Sequence, residues 1–169
     1  MIKRDSKRYG MSFIKFIKGF FTGHCFFTVL NYRVSNWMYR HKIKFFPSVI
    51  QYNNIKKHGC EISPSAKIGG GLLIHHSVGI VIGHSVVIGE NFECFQGVTI
   101  GSNRKELNGQ TMPIIGNNVS IGTGAIVVGP IHIGHNVVIG ANAYVDKDVP
   151  DNTFVYCKRE LIYKAMEII

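Results

Sequence analysis

The sequence predicts a mainly β chain, a solenoid of short parallel strands preceded by a short α-helical N-terminal segment. Three observations carry this reading. Aliphatic side chains recur every six residues from Ile62 onward, eight Ile-Gly pairs keep step with that recurrence, and the N-terminal third has a different composition.

The first unit is residues 1–58. It holds twelve Lys and Arg against one acidic residue, a net +11, while residues 59–169 carry a net −2. The +9 of the 169-residue chain therefore belongs to one end, which argues against a uniformly basic nucleic-acid binder. Aromatic residues Phe13, Phe16, Phe20, Phe21, Phe26 and Phe27 interleave with Lys15 and Lys18. The longest uncharged run within residues 1–58, Gly19 to Tyr32, has 14 residues, short of the about 20 that span a bilayer. Two fates stay open for residues 1–45: peripheral contact with the inner face of a membrane, or packing inside an oligomer against the solenoid end. Met1 to Gly10 does not read as a secretory signal. Cys25, Cys60, Cys94 and Cys157 show no C-x-x-C spacing, as expected of reduced thiols in a cytoplasmic protein.

The second unit is residues 59–150. A period of six suits neither a helix at 3.6 nor a strand alternating at two. It suits short strands joined by tight corners, with one aliphatic side chain per hexad turned into a shared core. Ile62, Ile68, Ile74, Ile82, Ile88, Cys94, Ile100, Ile115, Ile121, Val127, Ile133, Ile139 and Val145 keep that beat. Ala66, Leu72, Val78, Val86, Val98, Val119, Ala125, Val137 and Ala143 supply a second inward set four residues later. Glycine after the aliphatic residue serves either an unusual dihedral or a close backbone approach. Asn91, Asn117, Asn118, Asn136 and Asn142 suit corners, because Asn tolerates the left-handed region. Residues 151–169 are expected to form a strand or helix tail.

Two phase breaks interrupt the count: eight residues from Ile74 to Ile82, and fifteen from Ile100 to Ile115. Irregularities in a monotonous surface are the natural place for function. The first break contains His75-His76-Ser77-Val78-Gly79. The second, loop 101–113, contains Arg104, Lys105, Glu106 and an Asn108-Gly109 pair expected to be flexible.

The hexads resemble the left-handed parallel β-helix of the hexapeptide-repeat acyltransferases. The segment Gly71-Leu-Leu-Ile-His-His-Ser-Val-Gly-Ile-Val-Ile-Gly83 is similar to the signature of serine acetyltransferases. The likeness continues through Gln96 to Gly101, Pro113 to Gly116 and Ile121 to Ala125, covering about 90 residues. This resemblance implies a homotrimer that binds acetyl-CoA in grooves between subunits and needs no metal. It implies His76 as the catalytic histidine and Glu61, standing where the family has Asp, as its carboxylate partner. It also implies Gln96 beside the acceptor, with Gly122, Thr123 and Ala141 along the pantetheine arm. Lys147, Lys158 and Arg159 are candidates for the CoA phosphates on charge. Such a base is needed because an alcohol is a poor nucleophile near neutral pH, whereas an imidazole is matched to the proton transfer.

Departures from the serine pattern bear on the acceptor. His75 replaces an Asp, and Thr111-Met112 replaces an Arg-His pair at the loop end, making His75 and Met112 candidate substrate contacts. A short aromatic and basic N-terminus with Asn31-Tyr-Arg-Val34 more closely resembles the acetyltransferases of colanic acid and capsule synthesis. The leading expectation is therefore an O-acetyltransferase whose acceptor is a polysaccharide or lipid-linked sugar hydroxyl. The alternatives are serine O-acetyltransfer, a non-catalytic trimeric scaffold, and a metal site built from the chain's histidines.

Overall fold

The computed structural model describes residues 1–22 and 25–158, without the side chains of residues 20–22, so the side chains of Phe20 and Phe21 lie outside the description, as do Arg159 and the tail beyond. Four helices come first: α1 (Ile2–Arg8), α2 (Phe13–Thr22), α3 (Cys25–Arg40) and α4 (Phe46–His58). Pro47 sits in the first turn of α4, where its missing N–H costs nothing. Gly59 ends that helix in the left-handed conformation, its N–H donating to Ile55 O. Ser35 Oγ donates to Pro47 O, and Asn31 and Asn54 link α3 to α4.

Among the described residues fourteen short strands follow: β1 (Glu61–Ile62), β2 (Lys67–Ile68), β3 (Leu73–Ile74), β4 (Val81–Ile82), β5 (Val87–Ile88), β6 (Glu93–Cys94), β7 (Thr99–Gly101), β8 (Ile114–Ile115), β9 (Ser120–Ile121), β10 (Ile126–Val128), β11 (His132–Ile133), β12 (Val138–Ile139), β13 (Tyr144–Val145) and β14 (Phe154–Val155). They build three parallel sheets, the faces of a triangular prism. Sheet A is ordered β1-β4-β7-β10-β13, sheet B β2-β5-β8-β11, and sheet C β3-β6-β9-β12-β14. Strand register stacks like on like: Ile62 on Ile82 on Ile100 on Val127 on Val145 in sheet A. Ile68, Ile88, Ile115 and Ile133 stack in sheet B, and Ile74, Cys94, Ile121 and Ile139 in sheet C. All of these side chains are buried.

The corner residues depart from the expected second set at one point. Val78 is 69% exposed, and Ile80 is fully buried in its place. The two extra residues in the first phase break shift the phase, so the side chain two before Ile82 turns inward. The column is then Cys60, Ile80, Val98, Ala125 and Ala143, all buried.

Close approach explains the glycine of most Ile-Gly pairs, though not Gly101, where a Cβ would meet open space. A Cβ on Gly69, Gly89 or Gly116 would stand 2.6 to 2.7 Å from a carbonyl oxygen of the next coil. None of the three has a positive φ. Asparagine takes the dihedral role: Asn91, Asn118, Asn136 and Asn152 all have φ near +56 on the B–C edge. Each donates its side-chain amide to the next, Asn91 to Asn118 at 2.9 Å, Asn118 to Asn136 at 3.0 Å, and Asn136 to Asn152 at 2.9 Å. Asn117, by contrast, has no positive φ; its Oδ1 accepts from Glu90 N.

The long insertion folds back as a hairpin. Leu107 and Gln110 exchange backbone hydrogen bonds of 2.9 Å across Asn108-Gly109, both at positive φ. That is a tight two-residue turn, where a flexible pair was expected. At the other end of the chain, β14 pairs with β12, so the solenoid continues past residue 150 into the expected tail.

A solenoid's first coil exposes unpaired backbone groups along its edge. Here the helices satisfy them. Asp5 Oδ1 accepts from Gly71 N and Leu72 N, while Arg33 donates to Ile68 O and Gly69 O at 2.6 Å. The two side chains pair at 2.9 Å, almost fully buried. Tyr32 and Asn36 both donate to Ala66 O, and Tyr9 OH bonds both backbone groups of Ile74. Removing one partner of a buried pair strands the other, at a cost of about 3–5 kcal/mol. Asp5→Ala is therefore expected to lower stability by that amount in denaturant titration, and to open residues 1–58 to limited proteolysis while the strands stay protected.

Candidate active site

The prism edge between sheets C and A collects most of the residues singled out from sequence. Successive corners on it are His75–Gly79, Phe95-Gln96-Gly97, Gly122-Thr123-Gly124 and Gly140-Ala141-Asn142. Backbone hydrogen bonds stack them: Gly97 N to Val78 O at 3.0 Å, Gly124 N to Gln96 O at 2.9 Å, and Asn142 N to Thr123 O at 2.8 Å. Val78, Gln96, Thr123 and Ala141 thus follow one line, about 4.8 Å per coil, with His76 two residues before Val78 in the longer first corner. Gly122 lets the coils meet, since a Cβ there would lie 2.8 Å from Ala141 N.

The first of these corners is two residues longer than the second, and the excess bulges outward. Both chain neighbours of His76 are tied down. His75 Nε2 meets Glu93 Oε1 at 2.5 Å, and its ring stacks on Phe95 with centroids 4.3 Å apart. Arg8 holds the other Glu93 oxygen at 3.2 Å, and Cys25 Sγ donates to His75 O. On the other side the buried Ser77 donates its hydroxyl to His58 O at 3.0 Å. Burial, with Lys57 beside it, lowers the pKa of the His58 ring. His76 itself is exposed and makes no hydrogen bond among the described residues. Its backbone is fixed and its imidazole is presented outward.

Other expected residues fall elsewhere. Glu61 opens sheet A, and its N–H bonds Ile80 O just beyond the bulge. Its carboxylate accepts from Gln51 Nε2 of α4 at 3.3 Å, and no hydrogen bond joins it to His76 among the described residues. Met112 is buried, its sulfur turned toward Gly83 of the neighbouring coil and its carbonyl held by Gln110. The loop end therefore packs into the core, where a substrate contact was expected. Lys147 is exposed on the A–B edge, apart from Thr123 and Ala141, and Lys158 is exposed beyond β14. Gln96 Oε1 is buried without a hydrogen-bond partner among the described residues, an acceptor held in reserve on this edge. No group of three His, Cys, Asp or Glu among the described residues could hold a metal ion.

Sequence reasoning missed Glu93, Phe95 and Arg8. The signal was available, because Leu73 pairs with Glu93. Two residues further along, His75 must then stand beside Phe95.

Residues 112–147 match the family described as bacterial transferase hexapeptide (six repeats). A serine acetyltransferase of Helicobacter pylori is 39% identical over 137 residues, covering 80% of this chain and 80% of that one. The chain belongs to the serine acetyltransferase family. Another member, from Synechococcus elongatus, is 38% identical over 135 residues, 79% of this chain but only 55% of its own length. Among solved structures, serine acetyltransferase isoform 3 of Entamoeba histolytica in complex with cysteine has a TM-score of 0.76 at 32% identity, over 84% of this chain and 50% of that one. The Brucella abortus serine acetyltransferase in complex with coenzyme A has a TM-score of 0.74 at 31% identity, over 79% and 53%. The chain thus spans about half the length of several of the family members it matches. The shared architecture is the left-handed β-helix expected from the hexads. The expected closeness to the colanic acid and capsule enzymes gives way to serine acetyltransferases.

Two thiols lie under the edge described above. Burial pushes Cys60 up to about 12 and moves Cys94 upward too, and only a thiolate reacts readily. A maleimide at about pH 8 is expected to label the exposed Cys157 and to leave Cys60 and Cys94 untouched until denaturant is added, as read by peptide mass spectrometry.

Proposed function

We propose that the chain transfers acetyl from acetyl-CoA to a hydroxyl, with His76 as general base and serine as the acceptor. The observation that carries this is His76 itself, an outward imidazole on a fixed backbone at the head of the C–A edge. Family membership supplies the donor and the acceptor, since the relatives are named for serine.

In this mechanism one nitrogen of His76 takes the hydroxyl proton as the oxygen attacks the thioester carbonyl. The tetrahedral intermediate collapses, the carbon–sulfur bond breaks, and the imidazolium returns its proton to the CoA thiolate. No acyl-enzyme is required, because the thioester is already activated. Glu61 is proposed to orient the second ring nitrogen after a side-chain rotation that releases Gln51. Gln96, with its unpaired buried acceptor, Gly122, Thr123 and Ala141 are proposed to border the pantetheine arm and acceptor, and Lys147 the phosphates. A homotrimer belongs to the proposal: His76 is exposed on the single chain, and a neighbour would close the groove around it. A cytoplasmic setting belongs to it too, because acyl-CoA thioesters are made and used there.

One observation favours a second reading, transfer to a sugar hydroxyl. Thr111 and the buried Met112 leave no cation at the loop end to grip a free carboxylate.

His76→Ala is expected to cut kcat by about 10²–10⁴-fold with an unchanged circular dichroism spectrum. Undiminished CoA release would overturn the mechanism and favour a scaffold or another base. In a thiol-release assay serine is expected to drive turnover; rapid release with sugars and none with serine would transfer the assignment to a glycan.

A further inference from the structure

The N-terminal helices carry an apolar face that the acyl-transfer reading leaves unused. On α2, Phe13 is 79% and Ile14 78% exposed, with Phe16 and Ile17 also uncovered. Phe16 leans on Phe27 at 5.2 Å, which anchors α2 against α3. A groove of about 450 Å³ runs between α1, α2 and α3, floored by Phe26 and Leu30. A second, of about 790 Å³, opens between α1 and α3 beside Val34 and Trp37. Ile2 and Lys3 line both, so the apolar ground is continuous across three helices.

The charge around this ground has one sign. Lys3, Lys15, Arg40, Lys42 and Lys44 flank it, and no residue lining either groove is acidic. The only acid of residues 1–58, Asp5, is buried against Arg33. A second copy related by a two-fold axis is a poor occupant, since that contact would set these cations against their own mates without a carboxylate to answer. A surface with dense negative charge and an apolar interior answers both features.

We infer that this face docks on an anionic phospholipid bilayer, with α2 lying in the interface plane. No helix among the described residues is long and apolar enough to cross a membrane, so the contact is peripheral. Phe13, Ile14 and Ile17 enter the acyl boundary while the basic side chains meet the headgroups. Trp37, the chain's single tryptophan, stands at the rim. This inference is independent of the acetyl acceptor and of His76.

The test uses the full chain and vesicles of phosphatidylcholine, with or without about 30 mol % phosphatidylglycerol. Flotation with the anionic vesicles, loss of flotation in high salt, and a blue shift of Trp37 fluorescence are expected. Lys3→Glu and Lys15→Glu should each weaken partitioning by at least about fivefold. Phe13→Ser/Ile14→Ser should abolish the blue shift without moving the thermal midpoint. Failure of the wild-type chain to float, or equal binding to neutral vesicles in high salt, would overturn the inference. So would concentration-dependent self-association that the Phe13→Ser/Ile14→Ser variant loses.

Discussion

Every coil of this molecule must lie on the next at backbone hydrogen-bonding distance, with the same side chain inward at the same height. That requirement disposes of most of the sequence. Ile62, Ile82, Ile100, Val127 and Val145 form one column because a larger or polar side chain at any level would hold its coil away from its neighbours. Gly69, Gly89 and Gly116 follow from the same demand at the corners, where carbonyl oxygens leave no room for a Cβ. Deviation is tolerated only outward. The two excess residues before Gly79 bulge into solvent, and the hairpin after Gly101 leaves the prism and returns.

Stacking that can continue indefinitely needs a stop, and the N-terminal helices provide it. Asp5, Arg33, Asn36, Tyr32 and Tyr9 take over hydrogen bonds that a preceding coil would have made. The same helices reach the site. Arg8 engages Glu93, Glu93 engages His75, and His75 precedes His76, the proposed general base. Capping and positioning meet in Arg8, which also donates to Gly71 O in the first coil and to Phe92 O in the next.

The fold was legible because its rule is periodic: the inward residues could be counted in sixes. Val78 was misassigned because the count was carried across a bulge that resets it. The two roles offered for glycine could not be separated in sequence, since approach and dihedral select the same residue; coordinates divide them between Gly69 and Asn118. Handedness was not in the spacing at all, because a six-residue period is compatible with either hand. At the site, Gln96, Thr123 and Ala141 were legible as a set because equivalent corners recur in register, and His76 because it falls in the phase break on the same edge. The side-chain partners were not. Glu61 meets Gln51, and Met112 packs inward, through contacts between segments whose separation no local pattern records.

The asparagine edge has a polarity that its backbone does not. All three hydrogen bonds from Asn91 to Asn152 run the same way, so Asn118 and Asn136 each give a proton toward the C-terminus and receive one from the N-terminal side. Their orientations are consequently collective, since one side chain turned end for end would set donor against donor on one flank and oxygen against oxygen on the other. An aspartate at a middle rung could receive but not give, cutting the file into two shorter dipoles. The four identical residues therefore form one polarised, hydrogen-bonded row along the prism.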